Sequence, residues 1–163
     1  EVRPEDLLGR EVVRIDEKEI REYLKEKRIL VTGAGGSIGS EICRQVVKYN
    51  PESIILYDHN ENDVYFLEVE FKNKYPHVQL KIIVGDIKDI GLLKHVFSKY
   101  KPQVIFHAAA HKHVPLMQEV PSAAVKNNII GSRNLIYAAN HYNVERFVLI
   151  STDKAVNPTS VMG

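Results

Sequence analysis

Several groups of residues in this sequence could do chemistry, and the sharpest is Thr32-Gly33-Ala34-Gly35-Gly36-Ser37-Ile38-Gly39. Glycine permits positive φ and lets a backbone approach a phosphate. A helix that starts there adds free N–H groups and a partial positive charge. The spacing is G-x-x-G-x-x-G through Gly33, Gly36 and Gly39, with Gly35 extra. No Lys-Ser or Lys-Thr follows, which excludes a Walker-type phosphate loop. A plain glycine turn is the bland alternative. Ser37 could cap the helix and also reach a phosphate. The next acidic candidate, Asp58, lies 25 residues after Gly33. A carboxylate there can accept hydrogen bonds from an adenosine ribose and would repel a 2′-phosphate, which favours NAD over NADP. Alternatively Asp58 only opens the turn Asp58-His59-Asn60. Asp86, in Val84-Gly85-Asp86-Ile87, could reach an adenine amino group or cap a helix.

Small side chains in His107-Ala108-Ala109-Ala110 leave room for a pyrophosphate and a nicotinamide ribose. His107, His111 and His113 fall within seven residues. The intervening Lys112 and a change from strand to loop keep them off a common face, so no metal is expected and a cofactor- or substrate-lining loop is the reading. Asn128 sits among Ala124, Val125, Gly131 and Leu135. A buried amide must find partners. It could bond carbonyls of the preceding strand and shape the cleft, or act only as a structural satisfier. Gly131 would let its helix pack closely. The last group, Ser151-Thr152-Asp153-Lys154, puts a hydroxyl, an acid and an amine in sequence. On composition alone it is a solvated loop with a charge pair; its place after a strand makes acid–base work possible.

The elements that must position these residues alternate. Residues 1–16 read as a linker or arm. A short helix follows over 16–27, capped by Asp16 with Glu19 as its capping-box partner. Apolar runs at 28–32, 53–58, 78–84, 104–106 and 146–150 predict five strands. Helical spacing predicts helices near 37–49, 61–74, 88–100 and 122–140, the second with its apolar face at Val64, Leu67 and Phe71. Pro115 and Pro121 mark a loop before the last helix. Continuously apolar strands alternating with helices imply an α/β fold with a doubly wound parallel sheet, buried on both faces, in one domain over 17–163.

Composition agrees. Of 163 residues 44% are hydrophobic and 26% charged, an ordinary globular balance. A net charge of +1 argues against a broad nucleic-acid surface. The single cysteine, Cys43, excludes an intrachain disulfide and suits a reducing compartment. No apolar run is long enough for a membrane span. The sequence lacks an initiator Met and ends at Val161-Met162-Gly163, so a piece of a longer protein is expected, with its C-terminal part missing.

As a set these segments resemble the extended short-chain dehydrogenase/reductase superfamily, and within it the nucleotide-sugar 4,6-dehydratases of capsular polysaccharide biosynthesis that act on UDP-N-acetylhexosamines. The segments are TGAGGSIGSE (32–41), GDI (85–87), HAAAHKHVPLMQ (107–118), the Asn127-Asn128 and Ile130-Gly131-Ser132 steps, and STDKAVNPTSVMG (151–163). The resemblance implies a Rossmann fold with strand order 3-2-1-4-5 and NAD as cofactor. It implies cofactor contacts from Gly33, Gly36, Ser37, Ile38 and Gly39 in the first segment, and from Asp58, Asp86 and Ile87 along the next two strands. Ala108, Ala109, Ala110, Lys112, Asn128 and Ser151 would complete them. It further implies that Thr152 orients the sugar C4 oxygen, Asp153 protonates the departing 6-hydroxyl and Lys154 removes the C5 proton. Hydride would leave C4, water would be lost across C5 and C6, and hydride would return to C6. Met162 stands where the superfamily has the catalytic Tyr of Y-x-x-x-K, and the paired Lys would fall at 166, beyond this chain. Long, membrane-anchored members similarly carry Met there. Arg3 to Glu11 resembles the linker after a membrane-embedded region, which implies an inner-membrane parent protein with this domain on its cytoplasmic side. A nucleotide-sugar substrate and a homo-oligomeric assembly come with that resemblance. A nucleotide-sugar epimerase and a non-catalytic NAD-sensing module are the alternatives.

Overall fold

The computed structural model describes residues 16–163. The expected arm, apart from Asp16, lies outside them. Asp16 accepts hydrogen bonds from the N–H groups of Lys18 and Glu19 and so starts α1 (Glu17–Leu24). The strands are β1 (Arg28–Thr32), β2 (Ser53–Asp58), β3 (Gln79–Val84), β4 (Val104–His107) and β5 (Arg146–Leu149). They form one parallel sheet in the order β3-β2-β1-β4-β5. That is the doubly wound arrangement, and it leaves a crevice where the order reverses at β1 and β4.

Successive strand residues point to opposite faces, and both faces are covered at β1, β2 and β4; the edge strands β3 and β5 carry no buried residue, so the expected burial holds for the centre of the sheet and not for its edges. On one face Ile29, Val31, Ile54 and Leu56 pack under α2 (Ser37–Val46) and α3 (Glu61–Lys74). The buried residues of α3 are Val64, Leu67 and Phe71, the predicted stripe. On the other face Leu30, Ile55, Tyr57 and Ile105 pack under α4 (Ile90–Tyr100) and α7 (Ser132–His141). Burying each such aliphatic side chain contributes roughly 1.5–3 kcal/mol, so β1 is fixed firmly and its carboxyl end can carry a rigid loop.

Two expectations need correction between β4 and β5. The Pro115 segment is a short helix, α5 (Val114–Glu119), because a proline in the first helical turn loses no hydrogen bond. The predicted long helix is three pieces: α6 (Pro121–Ala124), a π-helical stretch at Val125–Gly131, and α7. Gly131 packs on Ile87 rather than on the sheet; an added Cβ would lie 2.7 Å from the Ile87 side chain.

Candidate active site

The glycine segment leaves β1 at Thr32 and folds against β4. Gly33 has φ +70°, and a Cβ there would lie 2.6 Å from the Ala108 carbonyl oxygen. Only glycine satisfies both conditions. Ser37 is the first helical residue, and Gly36 rather than Ser37 holds the N-cap position of α2 with no side-chain bond to it. The capping role expected of Ser37 is therefore absent. Asp16, Asn60 and Asp89 cap α1, α3 and α4 with their side chains. The first-turn N–H groups of α2 are left for another acceptor, the arrangement that suits a phosphate.

Asp58 ends β2, is 7% exposed and faces the glycine loop. Its carboxylate accepts from the Gly35 N–H at 2.9 Å and the Asn60 N–H at 3.0 Å, and meets the His59 ring at 3.2 Å. It therefore opens the turn and braces the glycine loop. Each carboxylate oxygen accepts more than one hydrogen bond, so a ribose hydroxyl can still be bound. Asp86 accepts from the Lys88 N–H at 2.8 Å and pairs with the Lys88 ammonium, so it caps no helix; Asp89 caps α4. Partial burial resists ionisation of Asp86, but the Lys88 bonds outweigh it and hold the carboxyl below its usual range. The Tyr57 hydroxyl donates to the Asp86 carbonyl at 2.8 Å and fixes this turn from below.

A cleft of about 170 Å³ opens between these loops, lined by Gly33, Gly36, Asp58, Ala108, Ala110 and Asn127, among others. Ala108 and Ala109 are half-buried walls and Ala110 is exposed, so the space beside them is free of bulky side chains. Ile87 is buried in the core below. Ile38 points elsewhere: it is exposed and lines an apolar groove with Ile42 and Phe106. Lys112 is exposed on the following loop.

The asparagine that enters the cleft is Asn127, which the sequence reading passed over. Adjacent residues on a regular helix point roughly 100° apart. The π-helical stretch turns both toward the loop after β4. Asn128 accepts from the His111 N–H at 2.9 Å and donates to the His111 carbonyl at 3.0 Å. Its partners are loop groups beyond β4, not strand carbonyls. Asn127 donates to Asn128 at 3.0 Å and to the Ala109 carbonyl at 3.4 Å, and is itself buried.

The three histidines separate. His107 lies in the core, where its Nδ1 meets the Thr32 hydroxyl at 2.7 Å and its Nε2 meets the Ser132 hydroxyl at 2.8 Å. Burial pushes its pKa down to about 4. Among the described residues no cluster of His, Cys, Asp and Glu is arranged to hold a metal.

The Ile150 N–H donates to the His107 carbonyl at 3.0 Å, which brings Ser151 level with the alanine wall. Thr152 caps a single 3-10 turn, Asp153–Ala155. Its hydroxyl donates to Asp153 at 3.1 Å, and the Lys154 ammonium meets the same carboxylate oxygen at 3.2 Å. The Lys154 and Thr152 bonds hold the Asp153 carboxyl below its usual range. All three side chains are exposed, as is Ser151. The segment then folds back: the Val161 N–H donates to Gln118 on α5 at 3.0 Å, and the half-buried Met162 precedes Gly163, which packs on the Lys154 carbonyl. Hydroxyl, carboxylate and ammonium thus form one chain at the carboxyl end of β5, on the side of the sheet where the cleft opens.

Residues 29–163 match the family model described as polysaccharide biosynthesis protein. The chain is 50% identical over its whole length to the probable polysaccharide biosynthesis protein EpsC of Bacillus subtilis, of which it covers 27%. It is 32% identical over 85% of its length to a protein of Campylobacter jejuni named UDP-N-acetylglucosamine 4,6-dehydratase (inverting), of which it covers 40%. Among solved structures, Pen from Bacillus thuringiensis matches with a TM-score of 0.80 at 30% identity, over 86% of this chain and 43% of that one. The Thermus thermophilus UDP-glucose 4-epimerase in complex with NAD matches with a TM-score of 0.64 at 25% identity, over 77% and 37%. The chain spans less than half the length of each of these proteins. Its family is nonetheless plain from the match over nearly all described residues: the chain belongs to the polysaccharide biosynthesis protein family.

Proposed function

We propose that this chain is the NAD-binding portion of a nucleotide-sugar 4,6-dehydratase acting on a UDP-N-acetylhexosamine for surface polysaccharide. The observation that carries the reading is the hydrogen-bonded chain Thr152–Asp153–Lys154, which follows β5 at the same carboxyl end of the sheet as the cleft between the glycine loop and the alanine wall. NAD, when bound, supplies the hydride acceptor for C4 and the hydride donor for C6. The uncapped N-terminus of α2 would hold its pyrophosphate, and the Asp58 carboxylate would accept from its adenosine ribose. The Thr152 hydroxyl orients the C4 oxygen. The proton of the Lys154 ammonium first passes to the Asp153 carboxylate along the hydrogen bond that joins them; Lys154 Nζ then takes the C5 proton, and Asp153 gives its proton to the departing 6-hydroxyl. Met162 carries no exchangeable proton and packs rather than titrates. In this reading the whole protein is membrane-anchored, assembles from identical copies and holds this domain on the cytoplasmic side.

The similarity to the epimerase favours a second reading, in which the same cleft serves C4 inversion. An epimerase keeps the mass of its substrate and does not need an acid–base pair for loss of water. The test uses the longer protein with UDP-N-acetylglucosamine. The expected product is lighter by one water. Lys154→Ala should still form NADH in a single turnover, yet exchange solvent deuterium into C5 about 10²–10⁴-fold more slowly. Asp153→Asn should retain that exchange and release little water. An isomer of unchanged mass, or normal C5 exchange in Lys154→Ala, overturns the dehydratase reading.

A further inference from the structure

We propose that His107 is a positioning residue of the dinucleotide cleft: bridged between the Thr32 and Ser132 hydroxyls, its imidazole sets the separation of the cleft's walls. The inference rests on reading this cleft as a dinucleotide site.

Thr32 immediately precedes Gly33, whose backbone bears on Ala108. His107 immediately precedes Ala108, the first residue of the alanine wall. Ser132 immediately follows Gly131, the end of the π-helical stretch that carries Asn127 and Asn128. Each bridge member is one residue from a different structural unit of the site. The glycine loop leaves from the first, the alanine wall from the second, and the third holds the end of the asparagine helix. Thr32 and His107 are also register partners across β1 and β4, and the Ala108 N–H donates to the Thr32 carbonyl at 3.0 Å.

The chemistry of the bridge is more specific than filling a core. Thr32 is fully buried and His107 is 2% exposed. Distances of 2.7 Å and 2.8 Å are full-strength hydrogen bonds. A neutral imidazole has one donor and one acceptor nitrogen, so one hydroxyl must donate to it and the other must accept from it. An apolar residue of similar size would fill the volume but orphan a buried hydroxyl. Among the described residues the aromatic ring paired with it, Phe147, lies 6.1 Å away edge-on and offers no competing hydrogen bond. The bridge therefore has a definite length and direction: its Thr32 half reinforces the β1–β4 ladder, and its Ser132 half ties the start of α7 to β4 by a side-chain bond outside that ladder.

Consequently the bridge keeps the cleft at its working width before any cofactor arrives. Without it the walls sample other separations, and apparent affinity falls by the fraction of molecules still competent. The effect on binding is thus separable from an effect on folding.

The test is calorimetric NAD titration of the chain, with thermal melting and amide hydrogen exchange of the cofactor-free form. Thr32→Val keeps the shape and removes the hydroxyl; Thr32→Ser restores it. Ser132→Ala cuts the other link. Thr32→Val and Ser132→Ala should each weaken NAD binding about tenfold, and Thr32→Ser should bind within twofold of the unaltered chain. The Ala108 amide should exchange faster in Thr32→Val without cofactor. Because both act through one imidazole, the double variant should lose less than the product of the two. Unaltered NAD affinity in folded Thr32→Val and Ser132→Ala, with lower melting temperatures only, overturns the inference. Should Thr32→Val fail to fold, Ser132→Ala decides by the same criterion. Failure of the unaltered chain to bind NAD overturns the dinucleotide reading as well, an outcome distinct from variants that bind normally.

Discussion

Gly36 and Gly39 belong to one motif, yet the structure gives them separate tasks, and replacing each by alanine should separate folding from binding. A Cβ on Gly39 would overlap the Gly33 carbonyl oxygen and lie 2.7 Å from its carbon and 2.9 Å from Ala34 Cα. Those are backbone atoms and cannot swing aside. Relief requires α2 to lift from the loop, against Cys43 and Val46, which are buried on β1. Overpacking of this kind costs about 1–3 kcal/mol, and the better helix propensity of alanine returns up to about 1 kcal/mol. The net cost, up to about 2 kcal/mol, lowers the melting temperature by several degrees at roughly 2–4 °C per kcal/mol. On Gly36 the Cβ would meet a single neighbour, the Gly33 carbonyl oxygen at 3.3 Å, and otherwise open space. With φ −68° the backbone there accepts any residue, so Gly36→Ala should melt within about 2 °C of the unaltered chain. The open space is the cleft, and the methyl group would hold a pyrophosphate off the first-turn N–H groups of α2. Losing one charge-assisted hydrogen bond of about 1.5–3 kcal/mol weakens NAD roughly 10–100-fold. Circular dichroism melting and calorimetric titration read the two effects. A Gly36→Ala chain that binds NAD normally would refute the placement of the pyrophosphate. A Gly39→Ala chain that melts and binds normally would refute the close seat of α2 on the loop.

Acid should weaken the fold through His107. Its folded pKa is about 4 against an unfolded value near 6.5, so the unfolded chain takes up the proton first. The stability held by the neutral ring is whole above pH 6.5 and is lost as the pH falls toward 4. From pH 7.5 to 5.0 the loss is about 2 kcal/mol, measurable by urea unfolding against His107→Gln; parallel pH profiles for the two chains would exclude it. Asp58→Asn should narrow the preference for NAD over NADP in paired titrations, because it removes the charge that opposes a 2′-phosphate while keeping one acceptor for Gly35; an unchanged ratio assigns the preference elsewhere. Asn128→Ala frees both backbone groups of His111, so the His111 amide should lose its exchange protection, and retained protection would show that the loop is held by other contacts.

The sheet was legible in the sequence because its signal is a matter of energy summed over many residues. The apolar runs of β1, β2 and β4 must be buried on both faces, and helices such as α3, with Val64, Leu67 and Phe71 on one side, are what cover them; the edge strands β3 and β5 are only partly covered. The cleft was legible for a related reason: glycines and an acidic residue at strand ends are constrained by close approach and charge, both written in residue type. What stayed hidden depends on a local hydrogen-bond choice rather than on pattern. Ser37 satisfies every rule for a cap, but Gly36 takes the cap position because the chain must turn tightly against Gly33 first. The π-helical stretch leaves the apolar spacing of its helix nearly unchanged, so periodicity does not register it, although it decides that Asn127 faces the cleft while Asn128 clamps His111. His107 carries the same lesson for titratable residues. Three histidines in seven residues suggest a shared task, but a ring at the end of a parallel strand enters the core, while those in the loop do not. Residue type announces that a polar group must be satisfied; only the fold supplies the partner, and here the partners lie 75 residues upstream at Thr32 and 25 downstream at Ser132. Separations of that size carry no sequence signal, so the parts of the site most open to sequence reading are those that touch the cofactor directly, and the parts least open are those that hold the first set in place.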